Sequence, residues 1–409
     1  MTDSLRICVV GGGAAGLMAA GTALSYGADV TVFEHMKVLG KKLAITGKGR
    51  CNVTNNTDIS SFLNNVTKNP RFLYSALNNL SPEDTISFFE GLGVELKTER
   101  GNRVFPTSDK ARDIVDALVK YASGASIIHE KVKSIKYQDG AFTVKGEKEY
   151  SFDKVIIATG GKSYPLCGSD GSGYRLASAL GHTVTELIPS LIPICSPSHI
   201  CSDLQGLSLK NVRIKVLTRD NKCIYEDFGE MMFAHFGVTG PMILSASAHL
   251  RGADISELTL SIDLKPALDE KELDARLLSD FKANSNRDFI NSLSALLPSK
   301  MIEPFIYVTG ISPRKKVNLL TREDRAVILQ ALKNFRIPLS GYRPIEEAII
   351  TSGGIDVMEI SPKTMQSKFI PGLFFAGEII DVDAYTGGFN LQIAFSTGYT
   401  AGKSAACDY

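Results

Sequence analysis

The chain has 409 residues, enough for two or three domains with separate cores, and its 44% hydrophobic and 22% charged residues are those of ordinary globular proteins. The 45 Lys and Arg nearly balance 44 Asp and Glu, so no global charge footprint points to nucleic acid or to an anionic membrane. Cys8, Cys51, Cys167, Cys195, Cys201, Cys223 and Cys407 are scattered, with no C-x-x-C pair. That argues against a disulfide framework, a zinc site and a dithiol redox centre. No apolar run approaches the roughly 20 residues of a membrane-spanning helix. The opening Met-Thr-Asp-Ser lacks a signal peptide's basic start. The expectation is a cytoplasmic protein with reduced thiols, no metal and no membrane partner, of unspecified oligomeric state.

In chain order, Leu5–Val10 reads as a strand buried on both faces, Ala14 to about Tyr26 as a small-residue helix, and Asp29–Phe33 as a second strand. Helix starts follow at Ser81-Pro82-Glu83-Asp84 and at Ser108-Asp109, where capping side chains precede apolar periodicity. Residues 126–160 alternate around Asp139-Gly140, a hairpin signal, and end in the buried strand Val155–Ala158 before two glycines. Near Pro189, Pro193 and Pro197 the texture changes: strands continue to about Leu264, then Pro266 to about Pro338 reads mostly helical. Thr321 with Asp324 is a good helix N-terminal box there. Strand signals return at Ala348–Thr351 and at Leu373–Ala376. The expected domains are 1–189, an inserted β-rich region 190–265, an inserted helical region 266–345, and 346–409, which completes the first domain.

The chemistry-bearing motifs begin with Gly11-x-Gly13-x-x-Gly16, which follows a strand and opens a helix at Ala14 and Ala15. In such a turn the first glycine makes the bend, the second admits a pyrophosphate, and the third permits close helix–strand packing. The helix N-terminus offers free N–H groups to phosphate. Glu34, 18 residues beyond Gly16, can accept hydrogen bonds from a ribose. Three distal features favour FAD over NAD. Leu39–Asn55 is glycine-rich and basic, holding Lys41, Lys42, Gly47, Lys48, Arg50, Cys51 and Asn52. Ala158-Thr159-Gly160-Gly161 forms a turn suited to crossing back over a nucleotide. Gly377-Glu378 leads through Asp381 and Asp383 to Thr386-Gly387-Gly388-Phe389-Asn390-Leu391-Gln392 and an apolar helix, a second N-terminus suited to a flavin. No second strand–G-x-G-x-x-G–helix unit appears, so NADH or NADPH would dock transiently as electron donor, or electrons would arrive from another donor.

These motifs resemble the YhiN-like or BaiN-like family of bacterial NAD(P)/FAD-dependent oxidoreductases across essentially the whole chain. The specific elements are GKGRCNVTN (47–55), ATGG (158–161), EMMFAHFGVTGP (230–241) and the long stretch 361–402. The resemblance implies an α/β fold: a split Rossmann-like FAD-binding domain with an inserted substrate region, partly β-barrel and partly helical. It places FAD contacts at Gly11, Gly13, Gly16, Glu34, Arg50, Asn52, Ala158, Gly377, Asn390 and neighbours, with a backbone contact from Val132 to adenine. It also implies three substrate classes: conjugated steroid-type enones, small amino ketones, and uridine in ribosomal RNA.

Catalytic candidates are fewer. His235, in Phe-Ala-His-Phe-Gly, is a candidate general acid or substrate ligand, although a histidine among aromatics is more often packed. Tyr385 adjoins the Thr386-Gly387-Gly388 turn and could donate a proton. Cys51 has no partner thiol nearby and reads as packing. Arg314, Lys315, Lys316, Arg322 and Arg325 could meet RNA phosphates or form a solvated helix surface. The favoured reading is an FAD-dependent reductase of a conjugated double bond in a small molecule. The alternatives are an amino-ketone oxidase and a uridine-reducing enzyme with rRNA as partner.

Overall fold

The computed structural model describes residues 4–407. They divide into two compact units: the chain up to Ser190 joined by the chain from Pro344 onward, and Leu191–Arg343.

The first unit is built on a five-stranded parallel sheet of β1 (Arg6–Val10), β2 (Asp29–Phe33), β3 (Ser126–Ile128), β4 (Lys154–Ile157) and β5 (Leu373–Phe375). The strand order is β5-β4-β1-β2-β3, so a strand from the last forty residues hydrogen-bonds beside one from the first half. Ile7, Cys8, Val9, Val155, Ile156 and Ile157 are wholly buried, as strands covered on both faces require. The expected hairpin is present: Ser134–Gln138 and Ala141–Lys145 pair antiparallel about Asp139 and Gly140, both at positive φ.

Helix α1 (Ala14–Ser25) and helix α2 (Phe389–Ala406) pack through bare backbone. A Cβ on Gly398 would stand 2.5 Å from the Ala15 carbonyl oxygen, and one on Gly402 2.3 Å from that of Ala19. Ala15 pairs with Gly398 and Ala19 with Gly402, so the two helices run in the same direction. Because α2 begins nine residues before Gly398 while α1 begins one before Ala15, its N-terminus projects about 12 Å further, at about 1.5 Å per residue.

Some local expectations shift. Pro82–Gly91 and Arg322–Lys333 start at the anticipated capping boxes, Ser81 with Asp84 and Thr321 with Asp324. The helix anticipated at Ser108 begins at Ala111 instead. Asp109 sits at positive φ with its carboxylate bound to Arg50 and Lys97, so it cannot cap. A helix, Pro241–His249, interrupts the anticipated strand region, with Pro241 in the first turn, where its missing N–H costs nothing. The mostly helical stretch ends in a strand, Phe335–Pro338.

The second unit has its own core. Its seven-stranded sheet runs from Phe335–Pro338 at one edge to Gly341–Tyr342 at the other. Only Leu339 and Ser340 separate those edge strands in sequence. Leu339 N–H donates to the Leu258 carbonyl, and Ser340 N–H to the Cys195 carbonyl. The sheet must therefore curl to bring its two edge strands close together. Helices Glu270–Ala283, Ile302–Thr309 and Arg322–Lys333 pack into the same core. Among the described residues, no helix is long and apolar enough to cross a membrane.

The helix contact yields a direct expectation. Gly402→Val should destabilise the protein by about 3 kcal/mol or more, since overpacking against backbone leaves no side chain to move. Gly91→Ala, whose added Cβ meets nothing within 4 Å, should leave the melting temperature within a few degrees of wild type. Equal melting temperatures for the two variants would overturn the contact's importance.

Candidate functional site

The glycine turn after β1 is shaped by close approach. A Cβ on Gly11 would lie 2.5 Å from the Ala158 carbonyl oxygen, and one on Gly16 1.8 Å from that of Gly11. Gly13, the residue before α1, differs: a Cβ there meets nothing within 4 Å, so open space lies ahead of the helix N-terminus. At the edge of the turn, Glu34 accepts N–H bonds from Gly12 at 2.9 Å and Met36 at 2.8 Å. Its carboxylate is thus held in place by backbone while retaining lone pairs. Gly168, from the loop after β4, packs against Met36, His35 and Glu34.

The two remote motifs of the sequence meet at the start of α2. Thr54 Oγ1 donates to Gln392 Oε1 at 2.6 Å, and Asn55 Nδ2 to the Gly387 carbonyl at 3.1 Å. Gly388 stands at φ 97° with its Cα so close to the Thr54 carbonyl that a Cβ would be 2.3 Å from the oxygen. The G-K-G-R-C-N-V-T-N segment is therefore locked onto the N-terminus of an 18-residue helix.

Most charged and amide side chains expected to hold cofactor are engaged by protein groups. Lys42 Nζ lies 2.8 Å from both Glu378 Oε2 and Ser163 Oγ, and Glu378 also accepts the Thr351 N–H. Asp381, almost fully buried, pairs with Lys68 at 2.7 Å. Gln392 is wholly buried and donates to Leu80, Thr85 and Ser396 as well as accepting from Thr54. Asn390 clamps the backbone of Ala384 and Tyr385. Arg50 bridges Glu99 and Asp109 with its guanidinium 4.2 Å from the Phe105 ring centroid. Cys51 is buried, and burial pushes its thiol up to about 12, so it is no thiolate at neutral pH. Val132 is buried in the core, and Leu391 is half-buried one turn into α2.

The polar atoms left over suit FAD. Asn52 Oδ1, Thr159 Oγ1 and Ser169 Oγ are buried without a hydrogen-bond partner among the described residues. They belong to the basic loop, the Ala158–Gly161 turn and the segment packed against Gly160. A nucleotide's hydroxyl and phosphate oxygens are the kind of group that satisfies them. Ser169 carried no motif signal, and its role was invisible in sequence.

The structure leaves the two catalytic candidates in different units. Tyr385 is half-buried in the first, its N–H donating to the Asn65 carbonyl. His235 is an exposed turn residue between strands Cys223–Ala234 and Gly237–Thr239, in the second. That unit also holds a polar cluster the sequence did not flag. The Tyr225 ring lies 4.8 Å from that of His249, and Tyr225 O–H donates to Asp227 at 2.9 Å. Burial and the nearby Arg251 charge lower the His249 pKa. Burial also pushes the Tyr342 phenol up to about 12, against the pull of Arg251.

A buried relay steadies the segment leading into β5. Ser367 Oγ accepts N–H bonds from Phe369 and Ile370, so its own proton goes to His182 Nε2 at 2.9 Å. His182 Nδ1–H then donates to Glu359 at 2.9 Å. The His182 ring packs edge-on against Phe375, the last residue of β5.

Fold, glycine turns and unsatisfied polar atoms define a dinucleotide-binding oxidoreductase scaffold. The chain belongs to the family of the HI0933-like protein Rossmann domain, whose model matches residues 5–404, and it is an FAD-dependent oxidoreductase. It is 29% identical over 414 residues to the 3-dehydro-bile acid delta(4,6)-reductase of Clostridium scindens, covering 98% of this chain and 99% of that one. It is 28% identical over 400 residues to the ribosomal RNA dihydrouridine synthase of Escherichia coli, covering 97% and 96%. A solved 3-ketosteroid-delta4-(5alpha)-dehydrogenase from Rhodococcus jostii RHA1 shares the fold, with a TM-score of 0.54 at 16% identity over 100% of this chain and 98% of that one.

Two measurements follow. Gly388→Val should purify with little FAD and bind added FAD at least about tenfold more weakly, while the second unit keeps its far-ultraviolet signature; undiminished FAD content would contradict the two-ended site. Acidification should loosen the relay. Burial lowers the His182 pKa, so its contribution is complete above the unfolded value of about 6.5 and is lost as pH falls through the lower folded value. The melting temperature should therefore fall on acidification from about pH 6.5, and His182→Gln should flatten that slope. An unchanged slope in the variant would remove His182 from the account.

Proposed function

We propose that the chain reduces a carbon–carbon double bond conjugated to a carbonyl in a small steroid-type ketone, taking electrons from NADH or NADPH. The observation that carries this reading is the end-to-end likeness to a reductase named for a 3-dehydro-bile acid. Bound FAD, once reduced, supplies a hydride. The residues of the chain have the remaining tasks. Gly13 and the first turn of α1 receive the pyrophosphate, Glu34 the ribose, and Asn52, Thr159 and Ser169 the remaining polar groups. Addition at the β carbon builds negative charge on the carbonyl oxygen, which needs a donor, and the α carbon needs a proton. Tyr385, beside the N-terminus of α2, is our first candidate proton donor, and His235 the second.

A second reading, reduction of uracil in ribosomal RNA, draws on the Escherichia coli relative and uses the same addition to an enone-like bond. It is less favoured because three of the five cations expected to meet RNA are neutralised within the chain. Lys315 pairs with Asp324, Lys316 with Asp288 and Arg325 with Asp274.

The test is anaerobic. Protein reduced by NADPH should be reoxidised by a 4,6-dien-3-one steroid and not by uridine-containing ribosomal RNA. Tyr385→Phe should retain FAD and be reduced at the wild-type rate, yet be reoxidised about 100-fold more slowly, the usual size of a lost general acid; His235→Phe is the parallel case. Turnover of RNA alone would establish the second reading. Rapid reaction with oxygen and an amino ketone, releasing peroxide, would replace both by an oxidase.

A further inference from the structure

The inserted unit contains a groove of about 1070 Å³ between the helices His199–Asp203, Phe289–Ser292 and Ile302–Thr309. It lies wholly within that unit, and the cofactor site makes no use of it. Several charges elsewhere in the unit are paired, Arg276 with Asp280, Arg325 with Asp274 and Lys333 with Asp263. Three that line the groove are not. The side chains of Arg287, Asp203 and Glu303 line it, and none makes a hydrogen bond or ion pair with another described residue. Single unpaired charges are ordinary on a convex surface. Here both signs face one concavity without neutralising each other, as a ligand carrying both donors and an anion requires.

An aromatic face completes the set. Tyr307 is 67% exposed, and its ring meets that of His199 edge-on at 4.9 Å between centroids and 82° between planes. An exposed aromatic on the wall of a groove is a stacking face for a planar heterocycle. Asn291, on the same wall, offers an amide that can donate and accept along a base edge.

We propose that this groove binds a free nucleoside phosphate, with the base on Tyr307, the ribose diol on the carboxylates of Asp203 and Glu303, and the phosphate on Arg287. Lys300, on the same rim, donates one ammonium proton to the Gln205 carbonyl and has two left for phosphate. The volume is of the size that single organic ligands occupy, roughly 300–1,000 Å³. The two carboxylates decide between a free nucleotide and a nucleic-acid strand. They accept hydroxyl protons readily but repel the successive phosphates that a strand would lay along the groove. The site is independent of the reaction proposed above and stands whether the enzyme reduces a ketone or a uridine.

The test uses full-length protein loaded with FAD, so that the dinucleotide turn is already filled. ADP should bind with measurable heat in calorimetric titration. Arg287→Ala and Tyr307→Ala should each weaken it at least about tenfold, and both side chains are exposed, so the variants should melt like wild type. The double change Asp203→Asn with Glu303→Gln should abolish the preference for ADP over its 2′,3′-dideoxy analogue. Absence of ADP binding, or affinity unchanged by Arg287→Ala and Tyr307→Ala, would overturn the proposal. So would tighter binding of a single-stranded oligonucleotide than of ADP that the same two substitutions remove, because the occupant would then be RNA.

Discussion

The structure depends on the backbone contact between α1 and α2. Helix surfaces normally meet through side chains at axis separations of 8–10 Å. Here Gly398 and Gly402 bring one helix down onto the carbonyls of Ala15 and Ala19, so no larger residue fits. Spacing by four residues places both glycines on one face of α2 and both alanines on one face of α1. That fixes the two helices in register as well as in distance. Residues nearly four hundred apart in sequence thereby set the stagger of two helix N-termini, and the length of ligand that can span them.

Glu378, half-buried, and Asp381 and Asp383, buried, lie on the segment between β5 and α2. Buried carboxylates are costly unless satisfied. Each finds a partner from a distant segment: Glu378 takes Lys42 and Thr351, Asp381 takes Lys68, and Asp383 accepts from Thr67, Ser190 and Ser352. These bonds tie the C-terminal motif to the basic loop and to the paired strands Ile188–Ser190 and Ile350–Ser352, which lead to and from the inserted unit. Within the cations at 37–50, Lys42 and Arg50 take their counter-charges from residues 99, 109 and 378, all distant in sequence.

What the sequence made legible was what depends on near neighbours along the chain. The β1 turn, the Asp139-Gly140 hairpin and the capping boxes at Ser81 and Thr321 are local devices, and they stand where spacing puts them. The elements that shifted were decided at a distance. Asp109 gave up capping for Arg50 and Lys97, and Pro241–His249 became helical among strands because it packs on the sheet strand Cys223–Ala234. Site residues divide in the same way. Glycine motifs announce backbone approach, whereas Ser169, the Tyr225–His249 pair and the His182 relay consist of ordinary residues that acquire meaning only from their partners.

The curled sheet of the second unit bears on how one scaffold serves different substrates. The edge strands of that sheet are joined by Leu339 and Ser340 alone, and its core is separate from that of the first unit. Its outward side chains can therefore change without disturbing the α1–α2 contact or the turns that receive the dinucleotide. Two relatives of nearly equal identity, each aligned almost end to end, carry the names of a bile-acid reductase and a ribosomal RNA dihydrouridine synthase. The dinucleotide-type turns of the first unit and the separate core of the second are thus free to vary independently along the chain.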